Sequence, residues 1–515
     1  PLLFAALFLG GIQSALFGPV KYAILPQHLK ESELVGGNGM VEMGTSVAIL
    51  VGMMLGGWLV AQEGWGVTAA AFVTMGISAT GFLLSRLIPL APAAAPELKI
   101  NWNPLTETWR NFQFMRGNRT VFLSVLGISW FWFYGSIFIT QFPNLSKDIL
   151  SGQESVVTLL LIVFSIGIGV GSLLCERLSG HKVEIGLVPF GSIGMTLFGV
   201  DLYFAHRDVA LLHDQAVMTL LAQPSTWRVL ADLALMAVFS GFYLVPLFAL
   251  IQSRSARDQV SRVIAANNIL NAAFMVLASV LAVVLLNRVG LTIPELLLYT
   301  ALLNAVVAVY IYTLVPEFLL RFVAWIVSNT LYRLRVEGLD KIPDEGPALI
   351  VCNHVSFMDP IILFGAERRP IRFVMYYKIH QWFGLKWAFR AARAIPIAGR
   401  KEDAAMMERA FAEVDRELAA GELVMIFPEG GITRDGAVQR FRPGVERILA
   451  ARPVPVIPMA LRGMWGSLFS RRDRLRLPRR IWSRIALVIG DPIPPEQATI
   501  ELLEERVKAL RGDWA

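Results

Sequence analysis

A histidine and a nearby aspartate, His354 and Asp359, form the pair in this sequence best suited to acid–base chemistry. The apolar run 348–352 before the histidine predicts a buried strand, and Asp359 stands before Pro360. A proline disfavours helical dihedral angles in the residue before it and suits the first position of a helix, so Asp359 is expected to cap a helix. The chain turns between the two residues, which lets the carboxylate face the imidazole. Such a pair can remove a proton from a hydroxyl, because the carboxylate fixes the tautomer and stabilises the imidazolium.

A glutamate on a Pro–Gly turn is the second candidate. Glu429 lies in the sequence Phe427-Pro428-Glu429-Gly430, directly after another apolar run, 423–427. Active sites of α/β folds collect at the ends of strands, so this carboxylate is placed to bind a polar substrate. The alternative interpretation is a purely structural turn.

These two motifs, followed by the Val-x-Pro pattern at 456–460, closely resemble the glycerolipid acyltransferase family of the 1-acylglycerol-3-phosphate type. The resemblance covers about 336–500. It implies transfer of an acyl group from acyl-CoA or acyl carrier protein to glycerol 3-phosphate or a lysophospholipid, with no bound cofactor and no metal. By the same resemblance His354 and Asp359 are catalytic, and the substrate-binding residues are Glu429, Gly430, Arg400 and Arg434.

Two departures from the family pattern bear on the acceptor. Gly431 and Ile432 intervene between the Pro-Glu-Gly turn and Thr433-Arg434, and the block ending at Arg400 carries its arginine one residue later than usual. Both favour a lysophospholipid with a capped phosphate over a free phosphate monoester. A Gly-x-Ser-x-Gly motif is absent, so we expect the acceptor hydroxyl to attack the thioester directly, without Ser356 as nucleophile.

Short apolar runs alternate with helical segments around these motifs, which indicates an α/β fold. The expected strands are 348–352, 423–427, 454–461 and 485–489, and the expected helices lie near 360–367, 402–419 and 443–451.

Composition divides the chain into a strongly apolar part and a part with the composition of a soluble domain. Apolar residues make up 55% and charged residues only 17%, against roughly 25% charged in soluble domains. Long apolar runs end near 315, and an ordinary soluble composition follows. We therefore predict a multidomain protein: an all-α membrane domain at 1–316, a linker helix at 317–335 and the α/β domain at 336–515. The net charge of +7 is assigned to contact with an anionic membrane and not to nucleic acid.

Nine segments of the first part are long and apolar enough to cross a bilayer as helices. They are 2–25, 38–61, 66–88, 120–142, 155–175, 184–205, 229–251, 261–286 and 293–315. Glycines suited to close helix packing are Gly52, Gly56, Gly57, Gly167, Gly169 and Gly171.

Lys and Arg are distributed unevenly between the two sets of connecting loops, which predicts the orientation in the membrane. The richer set is therefore cytoplasmic, and so is the α/β domain. That set carries Lys21, Lys30, Arg86, Lys99, Arg110, Arg116, Arg119, Arg177, Lys182, Arg254, Arg257 and Arg262, whereas the other carries Lys147, Arg207, Arg228 and Arg288.

The long basic loop 89–119 is followed by six spans and preceded by three. This pattern resembles the major facilitator superfamily, whose two six-helix halves flank such a loop. The segment 176–182 lies where that family often carries a charged loop with a glycine. The resemblance implies that nine of twelve helices are present and that three more precede Pro1.

A sharper motif narrows this resemblance. The run 18–25, followed by Asn38, Gly39 and Glu42, is similar to the bacterial lysophospholipid transporter branch of the superfamily, over about 1–315. It implies a carrier for lysophospholipids in a bacterial inner membrane. Lys21 and Glu42 are candidates for transport, since ionisable groups within spans face a cavity or a partner. A structural ion pair is the alternative.

Several other segments have more than one interpretation. The linker 317–335 is either a helix in the membrane interface or a buried first helix of the α/β domain. The arginine-rich stretch 462–484 contacts anionic lipid, docks an acidic acyl carrier protein or is simply solvated. Interhelical hydrogen bonds, with substrate binding as the alternative, are expected of Asn267, Asn268, Asn271 and Asn304. Asp201 and Asp232 are expected to be solvated near the outer interface.

Together these observations predict a bifunctional protein that takes up lysophospholipid and re-acylates it. Its expected partners are membrane lipids, lysophospholipid and, where it is the acyl donor, an acyl carrier protein. One alternative is a transporter of another solute with an inactive, regulatory acyltransferase-like domain. The other is an acyltransferase for glycerol 3-phosphate or 1-acylglycerol 3-phosphate whose helices serve as an anchor.

Overall fold

The computed structural model divides the chain into two compact units, 1–311 and 312–515. It describes residues 2–30, 33–60, 62–92, 101, 103–178, 186–208, 215–256, 258–314, 316–343, 346–367, 369–467, 469–470 and 482–513.

The first unit is all helical. Among the residues described, nine helices or helix pairs are long and apolar enough to cross a membrane, as expected. The helices are α1 (Leu2–Ala23), α2 (Leu25–His28), α3 (Leu34–Val60), α4 (Gly66–Ser85), α5 (Pro104–Gly117), α6 (Arg119–Asn144), α7 (Glu154–Leu178), α8 (Leu187–Ala205), α9 (Val217–Leu221), α10 (Pro224–Arg254), α11 (Val260–Val284) and α12 (Ile293–Leu314).

Helix α10 lies at the centre of this unit and packs against α6, α7 and α8. A Cβ placed on Gly171 would lie 2.1 Å from the carbonyl oxygen of Val238, so glycine permits the close approach of α7 and α10. A Cβ placed on Gly52, Gly56 or Gly57 meets no atom within 4 Å, so the described part of this unit shows no close helix contact at these three glycines.

Polar side chains connect the helices of this unit. Trp130 Nε1 donates to Asn304 Oδ1 at 2.8 Å, and Asn304 Nδ2 donates to Thr196 Oγ1 at 2.9 Å, which links α6, α12 and α8. Asp201 pairs with Arg228 at 2.7 Å. Asp232 is buried, so the expectation that it is solvated was wrong.

The second unit contains a mixed sheet between two layers of helices. Its elements are α13 (Pro316–Thr330), β1 (Tyr332–Glu337), β2 (Ala348–Cys352), α14 (Asp359–Ala366), β3 (Ile371–Tyr376), α15 (Tyr377–His380), α16 (Lys386–Ala391), β4 (Ile395–Ile397), α17 (Ala404–Ala419), β5 (Leu423–Ile426), α18 (Gly444–Ala451), β6 (Val456–Arg462), β7 (Ser483–Ile489) and α19 (Ile500–Arg511).

Within the described part of this unit the strand order is β1-β7-β6-β2-β5-β3-β4. All neighbouring strands run parallel except β6 and β7. Successive side chains of a strand point to opposite faces. In β2, Ile350 therefore faces the core layer that includes α13 and α14, while Leu349 faces the layer of α17, α18 and α19.

The segment expected as a linker helix contains two elements of the second unit. Helix α13 packs on α14 and buries Phe322 and Ala324. Arg321 is also buried and donates to the carbonyl oxygen of Glu367. The chain then enters the sheet as β1. These contacts correspond to the alternative of a buried first helix.

Candidate active site

The candidate catalytic residues follow adjacent parallel strands. β2 pairs with β5, so the carboxyl ends of both strands meet at one edge of the sheet. His354 follows β2, and Glu429 follows β5. Their proximity in space therefore results from strand pairing.

His354 and Asp359 form a direct pair. Nδ1 of the histidine lies 2.8 Å from Oδ2 of the aspartate, whose side chain is completely buried. Asp359 is the first residue of α14 and not its cap, since Met358 holds the cap position. Its carboxylate turns back into the preceding loop, where the backbone amides of Val355 and Ser356 donate to the same Oδ2 at 2.6 and 2.9 Å.

The orientation of the imidazole follows from these contacts. An ionised carboxylate only accepts hydrogen bonds, so Nδ1 carries the proton and Nε2 is left as the basic nitrogen. The ring stacks on Phe427, with ring centroids 4.0 Å apart and planes inclined by 16°. Stacking and pairing together hold the imidazole in one orientation.

Glu429 has both carboxylate oxygens occupied by backbone amides. His354 N donates to Oε1 and Gln439 N donates to Oε2, each at 2.7 Å. The residue is only 5% exposed. Burial raises the pKa of Glu429 to about 7, although the two amides and His354 oppose this shift. The carboxylate thus ties the loop after β2 to the loop after β5, and its direct binding of an acceptor stays a prediction.

Gly430 occupies a conformation that favours glycine. Its φ is +72°, and a Cβ placed on it would lie 2.5 Å from Cζ of Arg442. Arg442 was not identified from the sequence. It stands in the segment Phe441-Arg442-Pro443 directly before α18, and its backbone amide donates to the Pro428 carbonyl at 2.9 Å. The site therefore includes an exposed guanidinium beside the Pro-Glu-Gly turn.

The other predicted residues occupy different positions along the same edge. Thr433 is buried, and its amide donates to the carbonyl oxygen of His354 at 2.9 Å, which leaves the exposed Arg434 next to the site. Arg400 follows β4, three strands from β2. At a strand spacing of about 4.8 Å the axis of β4 lies roughly 14 Å from that of β2. Residues 471–481 of the arginine-rich stretch lie outside the described residues.

In the first unit, Glu42 is buried and accepts a hydrogen bond from the hydroxyl of Tyr22. Lys21 Nζ donates to Thr45 Oγ1 at 3.1 Å. Gln252 on α10 also bonds to this region, through the carbonyl oxygen of Tyr22 at 3.0 Å. The two transport candidates thus belong to a polar group that joins α1, α3 and α10. The sequence carried no signal for Gln252.

Across the described parts of the chain, no three His, Cys, Asp or Glu side chains are grouped so as to hold a metal ion.

Comparison with known proteins agrees with both resemblances. Residues 1–213 match the family model of the Major Facilitator Superfamily, and residues 333–462 match that of Acyltransferase. The Lysophospholipid transporter LplT of Klebsiella pneumoniae (strain 342) is 29% identical over 245 residues, which are 47% of this chain and 56% of that protein. That of Citrobacter koseri is 30% identical over 263 residues, 50% of this chain and 59% of that protein.

The chain thus spans between half and two thirds of the length of these relatives. A crystal structure of the 1-acyl-sn-glycerophosphate acyltransferase PlsC from Thermotoga maritima shares 22% identity. It aligns with a TM-score of 0.31 over 38% of this chain and 78% of that one. The family matches confirm that the chain joins a membrane region of major facilitator type to an acyltransferase domain.

Proposed function

We propose that this protein takes up lysophospholipid through its membrane unit and re-acylates it with its second unit, on the cytoplasmic side of a bacterial inner membrane. The observation that carries the enzymatic half is the buried His354–Asp359 pair, 2.8 Å between Nδ1 and Oδ2, which leaves Nε2 as a base. The similarity to lysophospholipid transporters supports lysophospholipid as the substrate of the membrane unit.

The chemistry follows from this pair. Nε2 of His354 removes the proton from the acceptor hydroxyl as its oxygen attacks the thioester of acyl-CoA or acyl carrier protein. Asp359 stabilises the imidazolium that forms. The tetrahedral intermediate then collapses, the carbon–sulfur bond breaks, and the thiolate takes the proton from the imidazolium. The product is the diacyl phospholipid.

A covalent acyl-enzyme is not part of this proposal. Ser356 is completely buried, and its hydroxyl accepts a hydrogen bond from the amide of Met358 at 3.2 Å. A nucleophile must reach the thioester carbon, which a hydroxyl in this position does not. We therefore expect Ser356→Ala to keep most of the activity.

Joining carrier and enzyme in one chain has a kinetic consequence. A lysophospholipid released by the carrier meets the enzyme at a local concentration set by the tether and not by the bulk membrane. The intact contacts of His354, Asp359 and Glu429 favour this function over a regulatory domain without activity.

The decisive experiment is acyl transfer by the purified full chain in nanodiscs, with lysophosphatidylethanolamine, glycerol 3-phosphate or 1-acylglycerol 3-phosphate as acceptor. Acyl-CoA and acyl carrier protein are compared as donors. We expect transfer to the lysophospholipid, reduced by roughly 10²- to 10⁴-fold in His354→Ala, because general-base catalysis contributes that factor. Transfer only to glycerol 3-phosphate or its 1-acyl ester would favour the anchored-enzyme alternative. Equal activity in His354→Ala would refute the mechanism.

A further inference from the structure

A cluster of large apolar side chains lies on the surface of the second unit. The cluster consists of Trp382, Phe383 and Leu385, which lie between α15 and α16, and of Trp387 in α16. The exposed fraction of these side chains ranges from 46% for Leu385 to complete exposure for Phe383. Single exposed apolar residues are ordinary on soluble proteins, but contiguous patches of this kind mark interaction sites. We call these four residues the aromatic tip.

The aromatic tip is a defined turn. Gly384 at its centre has φ of +83°, a conformation that favours glycine. The amides of Leu385 and Lys386 both donate to the carbonyl oxygen of Trp382, at 3.2 and 3.0 Å. These bonds hold the backbone while the side chains point outward, so the exposure is a property of the local fold.

Apolar surface continues from the aromatic tip to the catalytic loop. Phe357 lies between His354 and Asp359 in sequence, is 40% exposed, and its ring centroid lies 5.9 Å from that of Trp382. Ile361, in the first turn of α14, is exposed as well. An acyl chain lying along this surface would reach the loop that carries the general base.

The charge around the aromatic tip indicates what covers it. Residues 377–393 contain Lys378, Lys386, Arg390 and Arg393 and no Asp or Glu. Tryptophan with flanking cationic residues is typical of segments that lie in the interface of an anionic bilayer. Helix α16 also packs on α13, which begins at Pro316, directly after the last candidate span ends at Thr313.

We propose that the aromatic tip inserts into the anionic leaflet of the bilayer, and that the acyl acceptor reaches His354 from the membrane along Trp382 and Phe357. Insertion of the aromatic tip is independent of the proposed function. The entry of a lysophospholipid along the tip rests on the proposed function. An acidic acyl carrier protein fits the cationic residues, but the fully exposed Phe383, next to Gly384 at the centre of the turn, suits lipid better.

Insertion is tested with an environment-sensitive fluorophore on Phe383→Cys in the full chain, reconstituted into vesicles of phosphatidylethanolamine and phosphatidylglycerol. The native Cys175 and Cys352 are buried. We expect blue-shifted emission that is quenched by lipids carrying a shallow nitroxide. The matched control is the same label on Gln497→Cys, an exposed residue outside the aromatic tip, which should emit as in water. Identical aqueous emission from both positions would overturn the proposal.

The route of the acceptor is tested with Phe383→Ser combined with Trp387→Ser. We expect KM for a long-chain lysophospholipid in vesicles to rise on the order of tenfold, because interfacial binding scales with the buried apolar area. KM for a short-chain, monomeric lysophospholipid should stay unchanged. An equal rise in KM for both acceptors would refute entry of the acceptor from the membrane. If the variant instead lost acyl-transfer activity in a way that depended only on the concentration of acyl carrier protein, the aromatic tip would be a protein-docking site and the lipid proposal would be refuted.

The two experiments separate this inference from the proposed function. If the wild-type chain acylated no lysophospholipid, the proposed function would fall, but the fluorophore on residue 383 would still report whether the tip is inserted. If acylation occurred and the fluorophore remained in water, insertion alone would be wrong.

Discussion

Replacing Glu429 by glutamine tests whether this residue positions the catalytic loop or binds the acceptor. In the wild type, each carboxylate oxygen accepts one backbone amide at 2.7 Å, from His354 and from Gln439. A glutamine side chain has only one oxygen, so its NH₂ group must face the second amide. A donor then opposes a donor at a site that is 5% exposed and admits little water.

The free-energy cost of Glu429→Gln follows from the lost hydrogen bond. A bond to a charged group contributes about 1.5–3 kcal/mol, and a buried unpaired donor adds a similar penalty. The neutral amide avoids the cost of ionising a buried carboxyl with a pKa of about 7, which offsets part of the loss. If the amide of His354 loses its acceptor, the loop shifts, and a displacement of about 1 Å can cost roughly 10²-fold in rate.

The assay is steady-state kinetics with varied acceptor, together with hydrogen exchange of the loops. We expect kcat to fall about 10²-fold with KM for the acceptor nearly unchanged, since the interaction lost is not one with substrate. Exchange should increase in the peptides that contain His354 and Gln439. A large rise in KM with unchanged kcat and unchanged exchange would show that Glu429 binds the acceptor.

Asp359→Asn is the matched control, because the same chemical change has a different structural consequence there. Oδ2 accepts all three contacts, from His354, Val355 and Ser356. Oδ1 has no hydrogen-bond partner in the part of the chain that the structure describes. The new amide nitrogen can take the place of Oδ1 without opposing a donor. We expect unchanged exchange and a fall in kcat within the 10²- to 10⁴-fold range of general-base catalysis, from loss of charge alone.

Further predictions concern other parts of the chain. Gly430→Ala should lose activity, because its φ of +72° is strained for alanine, whereas Gly431→Ala meets no atom of the described residues within 4 Å and should behave as wild type in the same acyl-transfer assay. The folded second unit holds a proton on Glu429 up to pH about 7, while the unfolded chain releases it near 4.5. Its thermal inactivation midpoint should therefore fall as pH rises between these values, and Glu429→Gln should remove this contribution. Glu42→Gln should slow lysophospholipid uptake into vesicles and leave acyl transfer in detergent intact, and normal uptake would favour a structural role. A cysteine at Gln497 should resist impermeant reagents in intact cells, and rapid labelling would contradict a cytoplasmic second unit.

The elements nearest the site were the most predictable. The strand 348–352 was expected with the bounds it has, because it is buried on both faces and reads as a continuous apolar run bounded by polar residues. The nine spans follow from length and apolarity alone. Both signals are local, so neither depends on how the chain packs.

The missed strands lack that signal for physical reasons. In β1, charged residues alternate with apolar ones because the strand lies at an edge of the sheet, and the segment was interpreted as a linker. In β3, Arg372 interrupts the apolar run. It is nevertheless buried, because Glu417 and Glu422 pair with it at 3.3 Å. Those partners are distant in sequence, so only the fold shows that the arginine is compatible with a buried strand.

The roles of the two carboxylates at the site differ for a reason that sequence does not encode. Asp359 begins the helix after the loop that follows β2, Glu429 lies in the loop after the adjacent strand β5, and a motif identifies each of them. What distinguishes them is the number of donors at each oxygen: Glu429 has one at each, whereas Asp359 has three at Oδ2. Four of these five donors are backbone amides, which every residue except proline possesses. The pattern of residue types can therefore place a carboxylate at the edge of the sheet, but only the path of the backbone determines whether it holds an imidazole or ties two loops together.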